Sequence, residues 1–96
     1  MKDDSAWSAA VARLPFGAVV HGVVTQRYPF GVFVRLTEAP DVTAIVEINN
    51  YRPHSVPVSP EDLPAVGDRI EGVVVDHAEF NQQIRLRVGG TAASRA

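Results

Sequence analysis

The period of the hydrophobic positions changes once along the chain, near Pro15. Before it, Trp7, Ala10, Val11 and Leu14 recur at i, i+3, i+4 and i+7, which puts them on one helical face. The spacing predicts an amphipathic helix over 5–14, with Asp4 or Ser5 accepting from its first free backbone N–H groups. Pro15 disfavours helical geometry at Leu14 and ends the helix about there. So short a helix has little stability alone, and its Trp7 stripe is expected to cover one end of a larger body.

Beyond Pro15 the pattern becomes that of strands. Residues 18–26 are rich in Val and Thr, and Gly22 in their middle is expected to mark a bend or bulge. Tyr28-Pro29-Phe30-Gly31 reads as a turn with aromatic flanks. Residues 32–36 alternate, with Val32, Val34 and Leu36 on one face and Phe33 and Arg35 on the other. A turn at 38–41 leads to a third strand over 42–48. Pro53, Pro57, Pro60 and Pro64 exclude a strand or one long helix across 49–67. Within that stretch Ser59–Leu63 fits a single helical turn, with Ser59 capping and Pro60 in first position. A fourth strand over 69–77 and a fifth over 83–88 flank a turn at 79–82.

Five short strands in about 70 residues predict an all-β fold, a small closed barrel rather than a sandwich. A short N-terminal helix precedes it, and a long loop joins the third and fourth strands. The expected boundaries are helix 1–15, barrel 16–88 and a disordered small, polar tail 89–96.

Composition narrows the class. Ninety-six residues suit one domain, and 46% hydrophobic residues are too many for a disordered chain. No apolar run approaches the ~20 residues of a membrane helix, and Met1-Lys2-Asp3-Asp4 does not begin a secretory signal. The chain has no cysteine, which removes disulfides and thiolate metal sites. A soluble, cytoplasmic protein without membrane contact is expected. The net charge is −2, and residues 17–88 hold six arginines, no lysine and nine carboxylates. Any site for a polyanion is therefore local.

The sequence carries no catalytic pattern. His21, His54 and His77 stand too far apart for a metal-ligand interval. There is no Gly-x-Ser-x-Gly elbow. Glu61 and Asp62 form a carboxylate pair, but in a helix first turn, where negative charge is favoured anyway. Binding rather than catalysis is expected, with no cofactor and no metal.

The segment Gly17–Val88 resembles the ribosomal S1-like RNA-binding domain, an OB-fold family. Gly22-Val23-Val24 resembles the family's Gly-x-Val, and Phe30-Gly31-Val32-Phe33-Val34 its Phe-Gly-Ala-Phe-Val signature. Ile45-Val46-Glu47-Ile48-Asn49 stands where the family has Leu-Val-His-Ile-Ser. Val66-Gly67-Asp68 matches its Gly-Asp, and Ile84-Arg85-Leu86 its Ile-Ser-Leu. The resemblance implies a five-stranded OB-type Greek-key barrel that binds single-stranded RNA. Three positions depart from it: Glu47, Ala78 and Gln83 replace the histidine, aspartate and arginine common in RNA-binding members.

The alternation places Phe33 outside the barrel, where an aromatic ring can stack on any base. The resemblance adds Phe30. Arg35 shares the face of Phe33, and Arg85 and Arg87 face outward if Ile84, Leu86 and Val88 face in. With Arg27 they are expected to meet phosphates. His21 and Tyr28 are expected on or beside the same wall, and Glu47 in its middle, neutralised if Arg35 or Arg85 pairs with it across strands. The expected function is a stand-alone module that binds single-stranded RNA weakly, as part of ribosome-associated or other RNA-processing machinery. The alternative is a protein-interaction module that keeps the barrel and binds through loop 49–66, with Tyr51, Arg52 and His54 near its start.

Overall fold

A computed structural model describes residues 5–52 and 58–89. A helix α1 (Ser5–Arg13) precedes five strands: β1 (Val19–Tyr28), β2 (Gly31–Leu36), β3 (Thr43–Glu47), β4 (Arg69–Ala78) and β5 (Gln83–Arg87). They close into a barrel in the order β1-β2-β3-β5-β4. All neighbours are antiparallel except β3 and β5, which run parallel. This is the OB-type Greek-key barrel expected from the sequence. Apart from Gly89, the expected tail lies outside the described residues, as do residues 53–57 of the long loop.

The barrel fills itself by alternation. Val20, Val24, Val32, Val34, Leu36, Ala44, Val46, Val74, Ile84 and Leu86 point inward and are buried in one cluster. With neither edge strand nor side left unpaired, the sheet has no aggregation-prone edge. The two ends are plugged from outside the sheet. Trp7 and Leu14 of the helical segment close one end, and Leu63 of the β3–β4 connection closes the other. Polar bonds fasten the helical segment, among them a long one from Arg13 Nη1 to the Glu38 carbonyl at 3.4 Å. Trp7 Nε1 donates to Glu79 Oε1 at 3.0 Å, and His77 Nε2 lies 2.7 Å from the Leu14 carbonyl.

The β3–β4 connection begins and ends near the strands it covers. A 3-10 turn at Ile48–Asn50 follows β3 directly, and Tyr51 forms an isolated parallel bridge with Val88. The expected helical turn appears as a 3-10 turn, Pro60–Asp62. Ser59 is its N-cap and Pro60 stands in first position, as expected, and the Asp62 carboxylate closes a capping box by accepting from both the backbone N–H and the hydroxyl of Ser59. Those two bonds, the backbone one foremost, lower the Asp62 pKa below the usual aspartate value.

Two one-residue bulges decide what faces out. In β1 the register shifts between Val24 and Gln26, so Thr25 is the extra residue. In β4 it shifts between Val74 and Asp76. Each bulge reverses the in–out phase of the residues beyond it. Gly22 was expected to supply the β1 bend and does not. It sits in regular pairing with Leu36 and Ile70, and its role is close approach. A Cβ there would lie 2.5 Å from Val34 Cγ1 and 2.6 Å from the Arg35 carbonyl oxygen.

This predicts a contrast between two buried strand glycines. Gly22→Ala pushes against backbone and is expected to cost about 2 kcal/mol or more. Gly72→Ala, whose nearest neighbour would be the Arg87 carbonyl oxygen at 3.3 Å, is expected to cost clearly less. Urea denaturation of both variants checks the order.

Candidate functional site

The outer wall carries one continuous row of residues in register. Gln26 pairs with Phe33, Phe33 with Ile45, Ile45 with Arg85, and Arg85 with Asp76, across β1, β2, β3, β5 and β4. Barrel closure alone makes Arg85 a neighbour of the Phe33 row. Ile45, flanked on its two sides by Phe33 and Arg85, is only 6% exposed although it is not part of the inner cluster. The outer wall therefore has an apolar centre.

An aromatic group stands at the β1–β2 turn beside this row. Tyr28 and Phe30 are stacked in parallel, with centroids 5.1 Å apart and planes within 3°. Both stand nearly perpendicular to Phe33 in T-shaped contacts, with centroids 5.8 and 6.2 Å from its own. Such offsets suit the ring quadrupoles. Phe30 is 51% exposed and Tyr28 39%, while Phe33 is half-buried. Tyr28, expected on or beside this wall, is in ring contact with both phenylalanines. Its position follows from the Thr25 bulge, which returns Gln26 and Tyr28 to the outer phase.

Gly31 lies between these rings and β3. Its φ is +152°, and a Cβ there would strike the Val46 carbonyl oxygen and crowd Glu47 Cα. Glycine is thus required for β2 to approach β3 at this point. The register partner of Gly31 is Glu47 on one side and Tyr28 on the other. Glu47 consequently faces the aromatic group across a residue that has no side chain.

Among the sequence-expected cations, Arg85 Nη1 lies 3.6 Å from Glu47 Oε1, the cross-strand neutralisation expected for that carboxylate. Both side chains are about one-third exposed, so the pair is worth little by itself. Arg35 is exposed one outward position beyond Phe33, and Arg87 is half-buried one outward position beyond Arg85. Arg27 is not brought to this group in the expected way. The bulge turns it into phase with buried Val32, and its Nη2 donates to the Pro60 carbonyl at 3.1 Å. His21 is on the outer surface but at the far end of β1. Its Nδ1 lies 2.9 Å from Glu38 Oε2, and its Nε2 3.7 Å from Glu71 Oε1.

Two further exposed rings lie outside any periodic pattern of the sequence. Phe16 is 65% exposed and tilts against His77 at 4.8 Å; Phe80 is 94% exposed in the β4–β5 turn. Both stand at the helix-covered end, opposite the Tyr28–Phe30 turn. Exposed aromatics in turns have no periodic signature, which is why alternation did not reveal them. Among the described residues, no cluster of three His, Asp or Glu side chains is placed to hold a metal ion. No helix among them is long and apolar enough to cross a membrane.

No family model matches the chain, and no curated protein matches it in sequence. Solved structures do. GSP13 from Bacillus subtilis is 26% identical with a TM-score of 0.67 over 86% of this chain and 62% of its own. A chain of the a/eIF2alpha–aDim2p–rRNA complex from Pyrococcus horikoshii is 21% identical, TM-score 0.68, over 82% of this chain and 46% of its own. RNase R of Mycoplasma genitalium, solved with ribose-methylated single-stranded RNA, is 15% identical, TM-score 0.65, over 85% and 14%. This chain thus spans under two thirds of each of them. The resemblance read from the sequence is borne out at the level of the barrel.

The His21–Glu38 contact gives a pH prediction. The hydrogen bond to Glu38 raises the His21 pKa above its ordinary value; slight burial opposes this, and the charges of Glu38 and Glu71 add to it. Partial burial pushes Glu38 upward, but hydrogen bonds from the His21 backbone N–H and ring outweigh it, so its pKa is lowered. The histidine's contribution is complete below 6.5 and fades as pH rises through its folded pKa. The glutamate's is complete above 4.5 and fades as pH falls through its own. Their joint contribution is largest between those values. Glu38→Gln is expected to lower the His21 midpoint in an NMR titration, and to destabilise more at about pH 5.5 than at about pH 8.5.

Proposed function

We propose that the chain is an RNA-binding module that takes single-stranded RNA on the wall formed by Phe33 and the Tyr28–Phe30 pair. The carrying observation is that three aromatic rings, two of them well exposed, meet at one turn of a closed barrel. The core of this barrel is complete without Phe33 or Phe30. An unstacked base inserted against Phe33 or Phe30 gains roughly 1–3 kcal/mol, with little dependence on sequence. The presence of rRNA and single-stranded RNA in the two complexes named above supports the same reading. The act is binding, with no catalytic step, and a soluble, cytoplasmic setting among RNA-processing or ribosome-associated machinery suits it.

Charge limits the strength. Arg27 is occupied at Pro60 and Arg85 is shared with Glu47. Arg35, Arg85 and Arg87 are the cations left to meet phosphate. At about 0.7 log unit per phosphate neutralised on a single strand, the salt slope is about −2 or shallower. Affinity on the order of micromolar or weaker at physiological salt follows.

One observation favours a second reading, in which the barrel binds a protein. Phe80 and Phe16 expose apolar rings on the end away from the proposed face. The loop once expected to serve such a partner is less open at its start: Tyr51 is half-buried against the core, with the Arg52 guanidinium 5.3 Å above its ring. His54 lies outside the described residues.

Fluorescence anisotropy with labelled oligonucleotides at low salt separates the two. Phe33→Ala is expected to weaken RNA binding about tenfold or more, and Arg85→Glu with Arg87→Glu to weaken it and flatten the salt dependence. Phe80→Ala is expected to leave RNA affinity unchanged. Full binding by the Phe33 and arginine variants refutes the face. Failure of the wild-type chain to bind any oligonucleotide at ~100 μM refutes the reading, because weak stacking plus a few phosphate contacts should register at that level.

A further inference from the structure

We infer that Glu47 makes the aromatic site selective for guanine, by accepting hydrogen bonds from the Watson–Crick edge of a base stacked beside it. The inference rests on the proposed RNA-binding face and deepens it. Glu47 is the register partner of Gly31, and Gly31 is the partner of Tyr28. The missing side chain at Gly31 leaves the carboxylate and the rings of Tyr28, Phe30 and Phe33 around one position. The backbone holds that position tightly, since Ile48 N donates to the Phe30 carbonyl at 2.8 Å. Glu47 is one-third exposed, so a ligand can reach it.

The carboxylate's chemistry then restricts what may occupy the place. Even beside Arg85, a carboxylate has no donor to offer a phosphate oxygen, so a strand must turn a base edge, not its backbone, toward Glu47. A carboxylate only accepts hydrogen bonds. Guanine alone among the four bases offers two adjacent ring-edge donors, N1–H and the N2 amino group, in the spacing a carboxylate accepts bidentately. Adenine and cytosine offer one exocyclic amino group beside an acceptor nitrogen, and uracil one N–H between two carbonyls. Acceptors aimed at Glu47, like phosphate oxygens, find no donor there. Arg85, 3.6 Å from Oε1, is too far for a good hydrogen bond and leaves the carboxylate oxygens free to accept. It also supplies a cation on the far side of Glu47 for the phosphate of the same nucleotide.

The test is a panel of pentamers, UUGUU, UUAUU, UUCUU, UUUUU and UUIUU with inosine at the centre, titrated by anisotropy at low salt against the full chain. UUGUU is expected to bind about five- to tenfold tighter than UUUUU, as one bidentate base contact provides. UUIUU, which keeps N1–H and lacks the N2 amino group, is expected to lose most of that margin. Glu47→Gln, its fold checked by circular dichroism, is expected to bring the UUGUU to UUUUU ratio within twofold. Equal binding of all five pentamers by the wild-type chain overturns the guanine inference and leaves the stacking face standing. Retention of the preference in Glu47→Gln also overturns it, since the preference then arises elsewhere. Should Glu47→Gln misfold, the inosine comparison on the wild-type chain decides. If no pentamer binds at all, the RNA-binding reading falls and this inference with it.

Discussion

Closure of the barrel through the parallel pairing of β3 with β5 is the constraint on which the rest of this structure depends. Thr43, Ala44 and Ile45 pair with Gln83, Ile84 and Arg85. Without that seam the inner residues would line an open sheet with a wet face, and the small core of a short chain would not suffice. With it, ten inward side chains fill the interior, and Trp7, Leu14 and Leu63 need only plug the ends. The same seam carries Arg85 into the row of Phe33 and within reach of Glu47. Packing and candidate site are two faces of one pairing.

The polar groups divide accordingly. Side chains returned to the inner phase near a barrel end serve the segments that cover it: Arg27 holds the Pro60 carbonyl, and His77 holds that of Leu14. Side chains on the outer phase form the row from Gln26 through Phe33, Ile45 and Arg85 to Asp76. The bulges at Thr25 and Val75 set which residue belongs to which group. A bulge costs one unpaired residue and gains the twist that a tight barrel needs.

Much of this was legible in the sequence, for identifiable reasons. The alternation of Val32, Phe33, Val34, Arg35 and Leu36 has only one consistent reading on a half-buried strand, so Phe33 and Arg35 fell on the outer face correctly. The helix, the five strands and the turns were marked by proline, glycine and periodicity. Bulges were not legible. Gly22 offered a glycine signal that suits either a bulge or a close approach, and the latter holds. Thr25, the true bulge, carries no signal, so nothing in the sequence shows that Arg27 stands in register with buried Val32 rather than with Phe33. The Glu47–Arg85 contact depends on which distant strands meet, and only the resemblance to a known fold hinted at it. Phe16 and Phe80, outside any periodic element, left no trace at all.

The claim at the centre is that one outer face, not the helix-covered end, receives a nucleic-acid strand. An NMR titration of the isotopically labelled full chain with pentauridine reads this most directly. Saturable shifts are expected in the amides of residues 28–35, 45–47 and 85–87, with those of the helix and the β4–β5 turn unmoved. Shifts confined to the surroundings of Phe16 and Phe80, or none at millimolar RNA, would contradict it.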